Sequence, residues 1–173
     1  MKTKLSVILT LVAGATSQAT IVTWDGEGAD NDWGTVANWV GDALPGSAND
    51  ANFDDGASAV VSDAQSANKV LLSQGGGETS DLTIQSSGSL TVGNGGVWIG
   101  NNNLTTAVGT LNVAGTLSMV GKTIYLGYNG IGTLSATDSA DIDFGQLSAA
   151  NHTSGGTATL NVSGASADLA GWR

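Results

Sequence analysis

The stretch TLNVAGTLSM (residues 110–119) contains two runs of alternating apolar and polar residues, which are separated by Ala-Gly. Alternation at period two is typical of a β-strand with one buried face. The same Leu-centred run returns along the chain, with leucines at positions 82, 111, 134 and 160 that are 29, 23 and 26 residues apart. A strand that recurs at such a period indicates a repeat architecture.

Two further short strands follow the Leu-centred strand in each repeat. They are Ser89–Val92 and Val97–Ile99 in one repeat, and Thr116–Met119 and Ile124–Leu126 in the next. Gly and Asn separate the strands, and both residue types tolerate the left-handed backbone of a sharp corner. Three strands split by such corners form a triangular coil, and stacked coils add parallel strands about 4.8 Å apart. The repeats therefore predict an all-β fold, a parallel β-solenoid, with a β-sandwich as the main alternative.

The composition restricts the class of protein. The 26 Gly among 173 residues raise the question of disorder, but a disordered chain would not keep the period-two alternation. Cys is absent, so disulfides do not contribute to stability. The formal net charge of −10 repels phosphate backbones, and we expect no nucleic acid partner.

The first 19 residues have the features of an export signal. Lys2 and Lys4 precede the apolar stretch Leu5–Ala15, and Ser17 and Ala19 place small residues at positions −3 and −1 of a cut after Ala19. The apolar stretch is shorter than the roughly 20 residues that span a bilayer, and a buried N-terminal helix is the alternative. We therefore expect a secreted or cell-surface protein without a membrane span after signal removal.

The chain divides into three segments. Residues 1–19 form the signal peptide, residues 20–78 a Trp- and Asp-rich N-terminal cap, and residues 79–173 the solenoid repeats. The segment 20–78 shows no clear repeat. We expect its Trp24, Trp33 and Trp39 to plug the open end of the solenoid core.

Residues 24–53 carry a family resemblance. They read Trp24-Asp25-Gly26, Trp33, Ala37-Asn38-Trp39, Leu44-Pro45-Gly46 and Asp50-Ala51-Asn52-Phe53. Together with the glycine-rich repeats, this pattern resembles exported bacterial proteins with autotransporter-associated β-strand repeats, which often carry a PEP-CTERM sorting tail. The resemblance implies a right-handed parallel β-helix at the cell surface or in extracellular matrix, and it implies no known catalytic residues.

The end of the sequence departs from that family. Neither a sorting helix nor a membrane barrel follows Arg173, and the last repeat is incomplete. We therefore expect either a fragment or a last coil that a partner covers. An uncovered strand edge also predicts edge-to-edge self-association.

Acidic residues of the N-terminal part are candidates for a calcium site, because carboxylate oxygens are ligands that calcium prefers. The candidates are Asp25, Asp30, Asp32, Asp50 and Asp54. Their spacing completes neither an EF-hand nor a calcium-binding β-roll, and solvated acidic turns are the alternative. We expect no organic cofactor.

Two aromatic residues are candidates for glycan binding. Trp98 and Tyr125 are 27 residues apart, about one coil, and each precedes an apolar residue that is expected to point inward. Both rings would then point outward on neighbouring strands, and an aromatic ladder can contact the apolar face of a sugar. The alternative is that a loop or a second subunit covers them.

Catalytic chemistry has weak support in the sequence. A lyase needs cationic groups, but only Lys69, Lys122 and Arg173 remain beyond the signal. A hydrolase needs paired carboxylates; Asp138, Asp141 and Asp143 are close together and His152 is the sole histidine, but a solvated strand face explains them better. We expect no enzymatic activity.

The sequence as a whole predicts a structural or adhesive β-solenoid at the bacterial cell surface. Its expected partners are an extracellular polysaccharide or another surface protein. A carbohydrate-binding module is the first alternative, and a polysaccharide-degrading enzyme is the second.

Overall fold

A computed structural model describes residues 18–54, 56–75, 77–100, 106–137, 139–150, 155–164 and 168–170. For residues 168–170 only the backbone is described. The fold is a parallel β-solenoid of about five coils, as the repeats predicted. In the described residues, regular structure other than strands is limited to a 3₁₀ turn at Val36–Asn38. None of the helical structure in these ranges is long and apolar enough to cross a membrane.

The described strands are β1 (Thr20–Thr23), β2 (Asn49–Phe53), β3 (Ser58–Val61), β4 (Ala64–Leu72), β5 (Thr79–Ile84), β6 (Ser89–Ile99), β7 (Val108–Val113), β8 (Thr116–Leu126), β9 (Ile131–Ala136), β10 (Asp141–Ala149), β11 (Thr157–Val162) and β12 (Asp168–Ala170). They form two parallel sheets with the orders β1-β2-β4-β6-β8-β10-β12 and β11-β9-β7-β5-β3. Each coil from β3 onward contributes one strand to each sheet.

The Leu-centred repeat is the ladder of the five-stranded sheet. Leu82 lies opposite Leu111, Leu111 opposite Leu134, and Leu134 opposite Leu160. The first three of these side chains are at most 1% exposed, so they form a buried column inside the tube. Burying each such leucine stabilises the fold by about 1.5–3 kcal/mol.

The second and third predicted strands of each repeat are a single bent strand. Ser89–Val92 and Val97–Ile99 both belong to β6, and the two corresponding segments of the next repeat belong to β8. Gly96 makes the bend with a left-handed φ of 69°, which glycine adopts without a steric penalty. The pairing with the neighbouring strands is interrupted at this bend and resumes beyond it, so a corner that the sequence predicts does not end the strand.

The parallel pairing begins before residue 79. β3 pairs with β5, β4 pairs with β6, and β1 and β2 extend the seven-stranded sheet further. These early strands carry small buried residues such as Ala59, Val61 and Ala67 in place of the repeated leucines. The repeat pattern therefore did not predict this coil. β1 starts at Thr20, directly after the predicted cut.

The three N-terminal tryptophans plug the end of the core, as predicted. Trp24, Trp33, Trp39 and Phe53 are buried, and five pairs among these rings have centroids 4.9–5.7 Å apart, three of them edge-on. The indole Nε1 of Trp39 donates to the carbonyl oxygen of Trp33 at 2.8 Å. Such edge-on aromatic contacts stabilise a core beyond the area that they bury.

The loop that carries Trp33 also extends the five-stranded sheet. The Trp33 amide donates to the carbonyl of Val60 at 2.7 Å, and the Val60 amide donates to the carbonyl of Asn31 at 2.8 Å. An antiparallel bridge joins Trp24 to Trp39 beside β1. Together these contacts cover backbone groups at the N-terminal end of both sheets.

Candidate functional site

Trp98 and Tyr125 form a stacked pair on the outside of the seven-stranded sheet. They lie opposite each other on β6 and β8. Their ring centroids are 3.8 Å apart and the ring planes differ by 22°. The inward neighbours Ile99 and Leu126 are buried, so period-two alternation directs both aromatic rings outward. The predicted stacking on neighbouring strands is confirmed.

Tyr128 completes an aromatic cluster, which we define as Trp98, Tyr125 and Tyr128. Its ring lies edge-on to both others, with centroids 6.0 Å from Trp98 and 5.9 Å from Tyr125. The corner that follows β8 carries Tyr128, and this corner turns at Gly127 with a φ of 59°. The sequence marked the segment as a turn, but a turn position gives no side-chain direction, so Tyr128 was missed.

Lys69 flanks the aromatic cluster. Its ammonium lies 6.0 Å from the centroid of the Trp98 ring and 3.5 Å from Oδ2 of Asp50. The lysine stem passes over Gly95, where an added Cβ would lie 2.4 Å from Cβ of Lys69. Gly95 also accepts a hydrogen bond at 2.9 Å from the indole Nε1 of Trp98. The absence of a side chain at residue 95 thus lets the lysine and the indole approach each other.

The charge beside the cluster is balanced. Asp50, only 7% exposed, accepts a hydrogen bond from Nδ2 of Asn68 at 2.7 Å in addition to the contact with Lys69. The carboxylate therefore neutralises the lysine locally. Of the Lys and Arg residues that the structure describes, Lys69 is the one that lies next to aromatic rings.

The aromatic cluster contains all the described aromatic residues that lie outside the hydrophobic core. The others are buried: Trp24, Trp33, Trp39, Phe53 and Phe144. The three residues of the cluster, one Trp and two Tyr, are half-buried. Stacking hides the faces that Trp98 and Tyr125 turn towards each other. The cluster can therefore offer both apolar contact and hydrogen bonds to a ligand.

Three of the predicted calcium ligands stabilise turns of the cap. Oδ1 of Asp25 accepts the amide of Glu27 at 3.3 Å, and Oδ1 of Asp32 accepts the amide of Gly34 at 2.7 Å. Oδ1 of Asp30 accepts the amide of Asp32 at 3.0 Å. That backbone hydrogen bond, with help from the side chains of Thr35 and Asn38, lowers the pKa of Asp30 below its usual 3.8.

The other two predicted ligands are engaged elsewhere. Asp50 lies beside Lys69, while Asp54 accepts hydrogen bonds from the amide of Gln74 at 3.0 Å and from Nδ2 of Asn52 at 2.5 Å. Within the described ranges, no three carboxylate, His or Cys side chains are grouped so that they could hold a metal ion. The structure thus engages all five aspartate carboxylates in hydrogen bonds or an ion pair, and the amide of Asp32 links Asp32 directly to Asp30.

Asp25 and Asp54 do share one surface feature, an open cleft of about 520 Å³ in the cap. The remaining lining residues are Trp24, Gly26, Asn31, Gly56, Ala57 and Ser58. The cleft is polar, and hydrogen bonds to neighbouring backbone and side-chain groups hold both of its carboxylates. We assign it no ligand.

Two of the carboxylates considered for a hydrolase, Asp141 and Asp143, lie on the same strand face. Asp141 and Asp143 alternate with buried Ile142 on β10, so both point outward, as the spacing predicted. They lie opposite Thr116 and Ser118 of β8. Asp138 and His152 lie outside the described residues.

Comparison with protein-family models, curated proteins and solved structures found no match. The geometry of this chain's own side chains is therefore the basis for its proposed function.

Proposed function

We propose that this chain is a structural and adhesive component of the bacterial cell surface. The observation that carries the proposal is the solenoid body, in which apolar side chains fill the tube and rows of Ser, Thr and Asn repeat outside it. Each added coil repeats the same outer chemistry, and repeated weak contacts gain avidity on a surface. We propose that this role needs no catalytic activity.

We propose further that the chain is exported and belongs to the proteins with autotransporter-associated β-strand repeats. Two observations support this. β1 begins at the residue after the predicted cut, and the tryptophans and Asn38 of the resembling pattern all contribute to the cap. Mass spectrometry of the full chain expressed in a diderm bacterium tests export: the mature protein should begin at Thr20, whereas an intact Met1 would contradict export.

Carbohydrate binding through the aromatic cluster is the second candidate function. The observation that favours it is the convergence of Trp98, Tyr125 and Tyr128 on one outer surface beside a neutralised lysine. Sugar rings present C–H faces and hydroxyls, which match half-buried rings with phenol groups.

A glycan array probed with the mature protein separates the two functions. Binding that disappears in Trp98→Ala supports the carbohydrate-binding function. Val120→Ala is a control, because Val120 is an exposed apolar residue of β8 with 68% exposure. A cell-adhesion assay compares cells that display the wild-type protein with cells that display Trp98→Ala. Equal adhesion of the two would support an adhesive role that does not depend on the aromatic cluster. Release of reducing or unsaturated sugar ends would contradict the absence of catalysis.

A further inference from the structure

The outer face of the five-stranded sheet is almost free of charge. We define this face by the outward residues of β5, β7, β9 and β11. They form three rows across the strands: Thr79, Val108, Ile131 and Thr157; Asp81, Thr110, Thr133 and Thr159; Thr83, Asn112, Ser135 and Asn161. Asp81 is the charged residue among these described positions, on a chain whose formal net charge is −10.

The aromatic cluster adjoins this face at one corner. The segment 127–130 leads from the end of β8, which carries Tyr125, to the start of β9 at Ile131. Tyr128 lies within that segment, and Ile131, which is 38% exposed, belongs to the first row of the outer face. Because Asp50 neutralises Lys69, the surface that continues from the cluster around the corner carries little net charge.

We infer that this continuous surface binds an uncharged polysaccharide, and that binding extends from the aromatic cluster onto the outer face of the five-stranded sheet. The inference rests on the proposed carbohydrate-binding function and names its ligand class. Ring edges and the methyl groups of Thr, Val and Ile contact sugar C–H groups, while Thr, Ser and Asn exchange hydrogen bonds with sugar hydroxyls.

Charge decides between polysaccharide classes. A polymer of uronic acids would meet the field of a chain with 15 acidic residues, and the lysine beside the cluster is already paired. Repulsion of like charges disfavours such a polymer. A neutral polymer meets no such penalty. The four strands of the face span about 14 Å across the coils, which gives room for several sugar units.

The test compares two Thr→Glu variants that change the net charge equally. Thr133→Glu places a carboxylate in the middle of the outer face, between Thr110 and Thr159. Thr91→Glu places one on the outer side of β6, between Ser66 and Ser118. Affinity gel electrophoresis of the mature protein uses hydroxyethyl cellulose, glucomannan and arabinoxylan as neutral probes, and carboxymethyl cellulose and polygalacturonate as acidic probes. Circular dichroism confirms that each variant is folded.

We expect at least one neutral probe to retard the wild-type protein more strongly than both acidic probes. Thr133→Glu should weaken that binding about tenfold, since the bound polymer would cover a carboxylate that has no partner, while Thr91→Glu stays within about twofold. Trp98→Ala should abolish it.

The other possible results distinguish failure of the inferred ligand class and binding surface from failure of the carbohydrate-binding function. Binding to none of the probes overturns the carbohydrate-binding function and the inference with it. Binding that survives Trp98→Ala overturns the role of the aromatic cluster in carbohydrate binding, and with it the inference that binding extends from that cluster. Stronger binding of an acidic probe overturns the ligand class alone. Equal binding by the two Thr→Glu variants overturns the extension onto the five-stranded sheet and restricts binding to the aromatic cluster.

Discussion

Asn38 is a buried polar residue that organises the loop of the cap. Its Oδ1 accepts the amide of Gly28 at 2.8 Å, and its Nδ2 donates to the carbonyls of Asp30 at 2.9 Å and Asp32 at 3.0 Å. The side chain is fully buried, so water cannot replace it. Asn38 therefore fixes the loop that positions Trp33, which explains why an asparagine precedes Trp39 in the motif.

Asn38→Ala should destabilise the protein by about 2–4 kcal/mol, because it empties a fully buried position and leaves the half-buried amide of Gly28 and two carbonyls without their partner. Urea unfolding followed by tryptophan fluorescence measures the loss. Asn94→Ala is the matched control, since Asn94 is exposed at the bend of β6. Equal losses for the two variants would contradict the role assigned to Asn38.

Asp30 adds a pH dependence to the same loop. Its lowered pKa comes first from the backbone amide of Asp32, then from the hydroxyl of Thr35 and the side chain of Asn38. Because the folded pKa is below the unfolded value, the stabilisation is present above about pH 3.8 and is lost as the pH falls through the folded pKa. An NMR titration of the Asp30 carboxyl should give a midpoint below 3.8, and Thr35→Val should raise it. A wild-type midpoint at or above 3.8 would refute the hydrogen-bond account.

Single-residue patterns predict some of the candidate site and miss the rest. Trp98 and Tyr125 could be predicted to stack, because each precedes a buried residue and their separation matches one coil. Tyr128 and Lys69 could not, since a corner residue and the far end of a lysine have no fixed direction in a periodic pattern. The acidic residues of the N-terminal part left a calcium site and solvated turns open as alternatives. In the structure, the carboxylates of Asp25, Asp30 and Asp32 accept backbone amides of the cap turns.

At the scale of single elements, neighbouring coils approach so closely at the corner between the two sheets that only glycine fits there. Gly100 and Gly127 turn there with φ values of 63° and 59°. A Cβ added at Gly100 would lie 2.1 Å from the carbonyl oxygen of Ile131, and one added at Gly127 would lie 1.9 Å from that of Thr157. The backbone of the next coil thus fills the space where a side chain would be.

Gly127→Ala should therefore destabilise the protein by about 2–5 kcal/mol, which combines left-handed strain with overpacking. Gly121→Ala is the control. Gly121 also has a positive φ, 70°, but an added Cβ would meet nothing within 4 Å, so we expect only the strain of about 1–2 kcal/mol. Thermal unfolding measures both; a Gly121 variant as unstable as the Gly127 variant would show that strain alone decides.

The strand pattern was predictable wherever one side chain repeats, as with Leu82, Leu111 and Leu134. The length of β6 and β8 was not, because a left-handed glycine can either end a strand or bend it, and only the neighbouring coil decides. The coil of β3 and β4 was also missed. Its interior next to the tryptophan plug accepts small residues, so the repeated leucines are absent there.

At the scale of the whole molecule, a solenoid is stable because each coil contacts its neighbours, and its ends need caps. The Trp24, Trp33, Trp39 and Phe53 group closes the N-terminal end of the same hydrophobic core that runs through the coils. Opening that end exposes the buried columns to water and the backbone of both sheets to pairing with other chains. The cap should therefore control both stability and solubility.

Trp39→Ala tests this coupling. Trp39 is fully buried, contacts the other three rings and donates a hydrogen bond to Trp33. Its removal should cost about 3–5 kcal/mol and promote aggregation, because the cap no longer shields the sheet edges. Trp98→Ala deletes the same side chain from the outer surface and should cost roughly 1–2 kcal/mol, the value of an aromatic pair with its partial burial. Urea unfolding and light scattering compare the two variants; equal stability with no aggregation of Trp39→Ala would mean that the coils hold together without the tryptophan plug.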